Sequence, residues 1–105
     1  MTTHNLQELY RAKLNNETAR IPWKELQRFF ASGATLAVSA ELDLVEVAFH
    51  ISEDNQAQVI QWVNVGLLNK VTDAQALEWY DADAEVWAVV VSPYVLVQSI
   101  ERNLQ

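Results

Sequence analysis

Two histidines, fourteen carboxylates and no cysteine bound the chemistry open to this chain. Acid–base work would fall to His50, because His4 sits in a terminus expected to fray. The alternation of residues 43–51 reads as a strand, with Glu46, Ala48 and His50 on one face. Four strand residues span roughly 13 Å, so Glu46 and His50 are not expected to touch, and a catalytic His50 would need a partner from another strand. The plainer reading is a half-exposed strand histidine. Nucleophilic catalysis lacks its parts, as no G-x-S-x-G is present. A phosphate cradle needs clustered glycines, whereas Gly33 and Gly66 stand far apart, each where a helix is expected to end. Asp81-Ala82-Asp83-Ala84-Glu85 begins like a calcium loop. Its sixth position is Val86 instead of Gly and its twelfth is Ser92 instead of Glu, so a solvated acidic loop is expected and no metal site is assigned. Many carboxylate pairs are conceivable, but no spacing singles one out. No cofactor is implied.

The densest mixture of polar and aromatic groups runs from Glu17 to Glu25, around an expected helix–helix turn. As a functional feature it would be a recognition corner, with Glu17 beside Arg20 and Trp23 as anchors. As a structural feature it would be a Glu17–Arg20 pair one helical turn apart, with Trp23 entering the core; this reading is preferred. Trp62 and Trp79 sit beside the main stripes of their expected helices and are the surface-anchor candidates.

The elements that would carry these residues follow from periodicity and punctuation. A first helix is expected from about Leu6 to Ala19, with Leu6, Leu9, Tyr10 and Leu14 on one face. Pro22 suits the first turn of a second helix, whose stripe is Trp23, Leu26, Phe29 and Phe30 and whose end is Gly33. Thr35–Ser39 and Asp43–Ile51 read as strands joined by a hairpin. A third helix is expected from Ser52 to Gly66, then a short strand or extended link over Leu67–Val71. Thr72 to Gln75 resembles a capping box opening a fourth helix, with Ala76, Leu77 and Tyr80 inward. Val86–Val91 reads as a strand buried on both faces and Tyr94–Gln98 as another, with Pro93 between them. The order ααββα(β)αββ groups its strands. It predicts an α+β fold in which an antiparallel or mixed sheet of about four strands is packed by about four helices, in one domain over residues 1–105 with frayed ends at 1–5 and 99–105.

Half the residues are apolar, enough for a core, and the longest apolar run, Val86–Val91, has six residues against the roughly 18 a membrane span needs. No secretory signal opens the chain, so a cytoplasmic setting is expected, although a cysteine-free chain would also suit export. The net charge of −7 is uneven. Residues 1–28 carry five basic groups against three acids, and residues 29–105 carry only Lys70 and Arg102 against eleven. An acidic body repels phosphate backbones, which makes nucleic acid a poor partner. The basic arm can pair with that body within one chain or between subunits.

Three stretches, Glu17–Gly33 (ETARIPWKELQRFFASG), Leu42–Ala48 (LDLVEVA) and Trp87–Gln98 (WAVVVSPYVLVQ), with the Lys70-Val71-Thr72-Asp73 junction, resemble the small bacterial family DUF2288, a domain of unknown function. The resemblance implies a bacterial, cytoplasmic protein. It brings no activity, cofactor or catalytic residue.

Three functions compete. The first is a non-enzymatic protein-interaction module, with a homodimer as one form. It would pair through an open edge at Tyr94–Gln98 or dock through Trp62 and Trp79. The second is a small-ligand binder or enzyme with a site between sheet and helices that uses Glu46, His50 or Arg20. The third is weak nucleic-acid binding through the basic N-terminal helices.

Overall fold

The chain is described by a computed structural model covering residues 3–100. A five-stranded sheet organises it, formed by β1 (Ala19–Pro22), β2 (Thr35–Val38), β3 (Leu68–Lys70), β4 (Glu85–Val91) and β5 (Tyr94–Ser99) in the order β1-β4-β5-β2-β3. All neighbours are antiparallel except β2 and β5, so the sheet is mixed and the fold is α+β, as expected. Period-two alternation sends Val89, Val91 and Leu96 to one face and Val86, Ala88, Val95 and Val97 to the other, so both faces are buried. Helices α1 (Thr3–Glu17), α3 (Leu44–Ser52) and α4 (Gln56–Asn64) cover the first face. The second is covered by a 3-10 turn (Trp23–Leu26), which runs on into α2 (Gln27–Ala31), and by α5 (Asp73–Asp81).

The largest departure from the sequence reading is at residues 43–51, which form a helix instead of a strand. Alternation at Val45, Val47, Phe49 and Ile51 coexists there with a helical stripe at Leu44, Val47, Ala48 and Ile51, and short apolar runs carry both periods. The cap decides between them. Asp43 Oδ1 accepts from the amides of Val45 (2.9 Å) and Glu46 (3.3 Å), satisfying the first donors of α3. Ala48, expected on a solvent face, is fully buried (0% exposed). No 40–42 hairpin exists; β2 pairs instead with β3 and β5. The third helix is correspondingly shorter. Ser52 ends α3 and donates to the Phe49 carbonyl, and Asn55, not Ser52, caps α4.

The helix ends follow one pattern. Gly33 and Gly66 adopt φ of 78° and 81°, and the amides of Gly33 and Ala34 bond back to Phe30 and Phe29 in a Schellman closure. Asp54 and Asp83 fill the same role at φ of 57° and 51° without a glycine's freedom. Thr72 caps α5 as expected, through Gln75 N–H (3.1 Å). The inner face of α5 is Ala76 and Trp79, while Leu77 and Tyr80, expected inside, are 60% and 46% exposed.

Strand β1 was not anticipated. The first helix stops at Glu17, and Pro22 both closes an edge strand, where the missing N–H is tolerated, and stands immediately before the 3-10 turn that leads into α2. Strand β5, expected as an open edge, lies between β4 and β2, and the edges are the four-residue β1 and three-residue β3. The half-buried Gln98 of β5 ties the β2–α3 loop down by donating from Nε2 to the carbonyls of Ser39 and Leu42, both at 2.8 Å. Of the ends expected to fray, Met1, Thr2 and residues 101–105 lie outside the described residues, whereas residues 3–5 are helical and Ser99 closes β5.

Candidate functional site

Because 43–51 is helical, Glu46 and His50 stand one turn apart on α3. Glu46 accepts from Arg11 Nε at 2.7 Å, and the Arg11 guanidinium lies 4.0 Å from the centre of the Phe49 ring, so this pair clamps α1 onto α3. His50 meets Trp62 edge-on with centroids 5.5 Å apart. Its Nδ1 is 2.9 Å from Asn55 Nδ2. The Asn55 Oδ1 accepts from Gln58 N–H as the α4 cap, so its amide group presents the donor to His50 and the ring nitrogen accepts. Glu46, His50 and Trp62 thus come together as a joint between α1, α3 and α4. The polar groups described in this joint are engaged with one another, in the Arg11–Glu46 ion pair, the Asn55–His50 hydrogen bond and the Asn55 cap. Among the described residues no group of three His, Cys, Asp or Glu is arranged to hold a metal.

The Glu17–Glu25 corner is dispersed. Glu17 lies 4.0 Å from Lys13 on its own helix, and Arg20 pairs across the sheet with Glu85 at 3.1 Å rather than with Glu17. Trp23 is fully buried against Phe30 and Trp79 and presents nothing to a partner. Trp79 is likewise buried (8% exposed) and Trp62 is half-buried, so neither forms the surface anchor considered for it. The basic arm pairs with the acidic body within the chain, where Arg11, Arg20 and Lys24 reach Glu46, Glu85 and Asp83.

The concavity best suited to binding lies elsewhere, between α4 and the sheet. Its volume is about 550 Å³, within the range of ligand and docking pockets. Leu36 and Leu68 of β2 and β3 form its floor, Val59, Ile60 and Val63 of α4 its wall, and Tyr94 stands at its rim. Helix α4 is the reason it stays open. None of its nine residues is fully buried, and Ile60 and Val63 remain 55% and 47% exposed. A nine-residue helix draws most of its stability from packing, and this one is packed along one side only. Asp54 and Lys70 are the charged groups of the lining. Neither Glu46, His50 nor Arg20 contributes to it, so the polar groups considered for a site between sheet and helices do not converge there.

Residues 9–99 match the family described as "Protein of unknown function (DUF2288)". The chain belongs to this family. It is also similar to the protein in the NMR solution structure of PA1075 from Pseudomonas aeruginosa, at 46% identity and a TM-score of 0.79, covering 90% of this chain and 87% of that one. No curated protein matches.

The sequence reading passed over the surface that this DUF2288 chain leaves uncovered. A signal for it was present. Residues 55–69 contain no Asp, Glu, Lys, Arg or His, in a chain that is 20% charged. Charge depletion with exposed aliphatic side chains is the composition of an interface core.

Proposed function

We propose that this DUF2288 protein is a non-enzymatic protein-interaction module that works through the uncharged face of α4 and the groove beside it. One observation carries the reading: α4 combines five apolar residues, no charge and no fully buried residue. An isolated monomer gains nothing from holding Ile60 and Val63 in water, whereas a partner that covers them gains their burial. Three of the five N-terminal cations, Arg11, Arg20 and Lys24, are paired with carboxylates of the acidic body, which disfavours phosphate recognition. The setting is the inside of a bacterial cell, in keeping with the Pseudomonas aeruginosa origin of the similar structure. No helix among the described residues is long and apolar enough to cross a membrane.

Photo-reactive residues introduced singly at Ile60, Val63 and Leu77 test this in living cells. Leu77 is equally exposed, on the opposite layer. Positions 60 and 63 are expected to give discrete protein adducts and position 77 none. Equal labelling at all three, or no adduct at 60 and 63, would refute the reading.

A further inference from the structure

We infer that the partner seated on α4 is a second copy of this chain, in a two-fold symmetric dimer; this rests on the interaction-module reading above. The argument is one of charge. The chain carries −7, so two copies repel wherever acidic surfaces meet. The fifteen residues 55–69 let them approach without that penalty, because they hold no charged group; the equally long uncharged run 86–100 lies mostly in the inner strands β4 and β5.

The two charges at the groove are opposite and unspent. Of the basic residues in the described part, Arg11, Lys13, Arg20 and Lys24 each have a carboxylate within 4.0 Å, and Arg28 lies over Phe29. Lys70 has neither kind of partner among the described residues. Asp54 accepts only a long 3.4 Å bond from Gln56 Nε2 and pairs with no described cation. A two-fold interface brings residue i against j and j against i. One unpaired cation and one unpaired anion beside the same apolar wall therefore form a self-complementary set, in which Lys70 meets Asp54 of the partner subunit and the reverse. A basic partner would leave Lys70 repelled, and an acidic partner would leave Asp54 repelled. A like-patterned copy satisfies both. Ile60 and Val63 would supply the dry centre and the glutamines of α4 the polar rim.

Sedimentation velocity on the full chain, from about 1 to 100 µM, is expected to show a reversible monomer–dimer equilibrium in that range. Ile60→Glu should leave only monomer. Lys70→Glu and Asp54→Lys should each weaken the dimer by about tenfold or more, since each turns two attractions into repulsions. An equimolar mixture of these two variants should recover a mixed dimer near wild-type affinity, because each introduced charge then faces its opposite. Asp54→Asn, which tolerates the left-handed turn, should weaken the dimer less than Asp54→Lys. A strict monomer at every concentration overturns the proposal. So does a dimer indifferent to Ile60→Glu, or a mixture no tighter than its components. If the chain is monomeric while position 60 crosslinks to a different polypeptide, the second copy is excluded and the interaction-module reading stands. If position 60 crosslinks to nothing, both fall.

Discussion

Replacing Trp23 with alanine is expected to lower the folding free energy by about 3–5 kcal/mol, the range for deleting a large buried aromatic. Trp23 is fully buried at the centre of the core under α2 and α5, against Phe30 at 5.6 Å and Trp79 at 5.0 Å between centroids. The same site carries an opposing term. Among the described residues, the Trp23 indole Nε1 is the one buried side-chain polar atom with no hydrogen-bond partner. Leaving such a donor unpaired costs about 1–3 kcal/mol. Trp23→Phe removes that donor while keeping much of the ring, so its net cost is expected to stay below about 1.5 kcal/mol. Urea unfolding of the two variants checks both limits. A Phe variant as unstable as the Ala variant would show that the N–H is satisfied in solution.

The second large effect is expected at Ala48. Ala48→Asp places a carboxylate at a position with no exposure, between α3 and the sheet. An unpaired buried charge of this kind costs about 3–5 kcal/mol. Had residues 43–51 formed a half-exposed strand, Ala48 would face water and the same change would fall within about 0.5 kcal/mol. The thermal midpoint of this one variant therefore distinguishes the helix from the strand. A midpoint equal to the wild type would contradict the assignment of α3.

Much of the fold was legible because local signals agreed with the tertiary outcome. Thr72 capped its helix, Gly33 and Gly66 ended theirs, and the valine-rich run at 86–91 lay inside the sheet. Legibility failed where two periods fitted the same residues, as at 43–51, and where an element was too short to have a period, as at Ala19–Pro22. Asp43 with Glu46 three residues on resembles a capping box, and it was the local sign that would have favoured a helix.

The candidate site was less legible, for a different reason. Residue types associated with recognition drew attention to Trp23 and Trp79, but large aromatics also make the best core, and both are buried. Arg20 found its partner in Glu85, sixty-five positions away in sequence and adjacent only through the pairing of β1 with β4. The open face of α4 is defined by what does not cover it, a property of the assembled layers rather than of any residue. The uncharged run 55–69 was its only imprint on the sequence.

The most direct measurement is solvent paramagnetic relaxation of labelled methyl groups, read in dilute purified protein and again inside the host cell. Ile60, Val63 and Leu77 methyls should all be bleached by a soluble probe in the dilute sample. In the cell, Ile60 and Val63 should become shielded while Leu77 stays bleached, as a partner seated on α4 requires. Methyls of Ile60 and Val63 bleached equally in both settings would contradict the account.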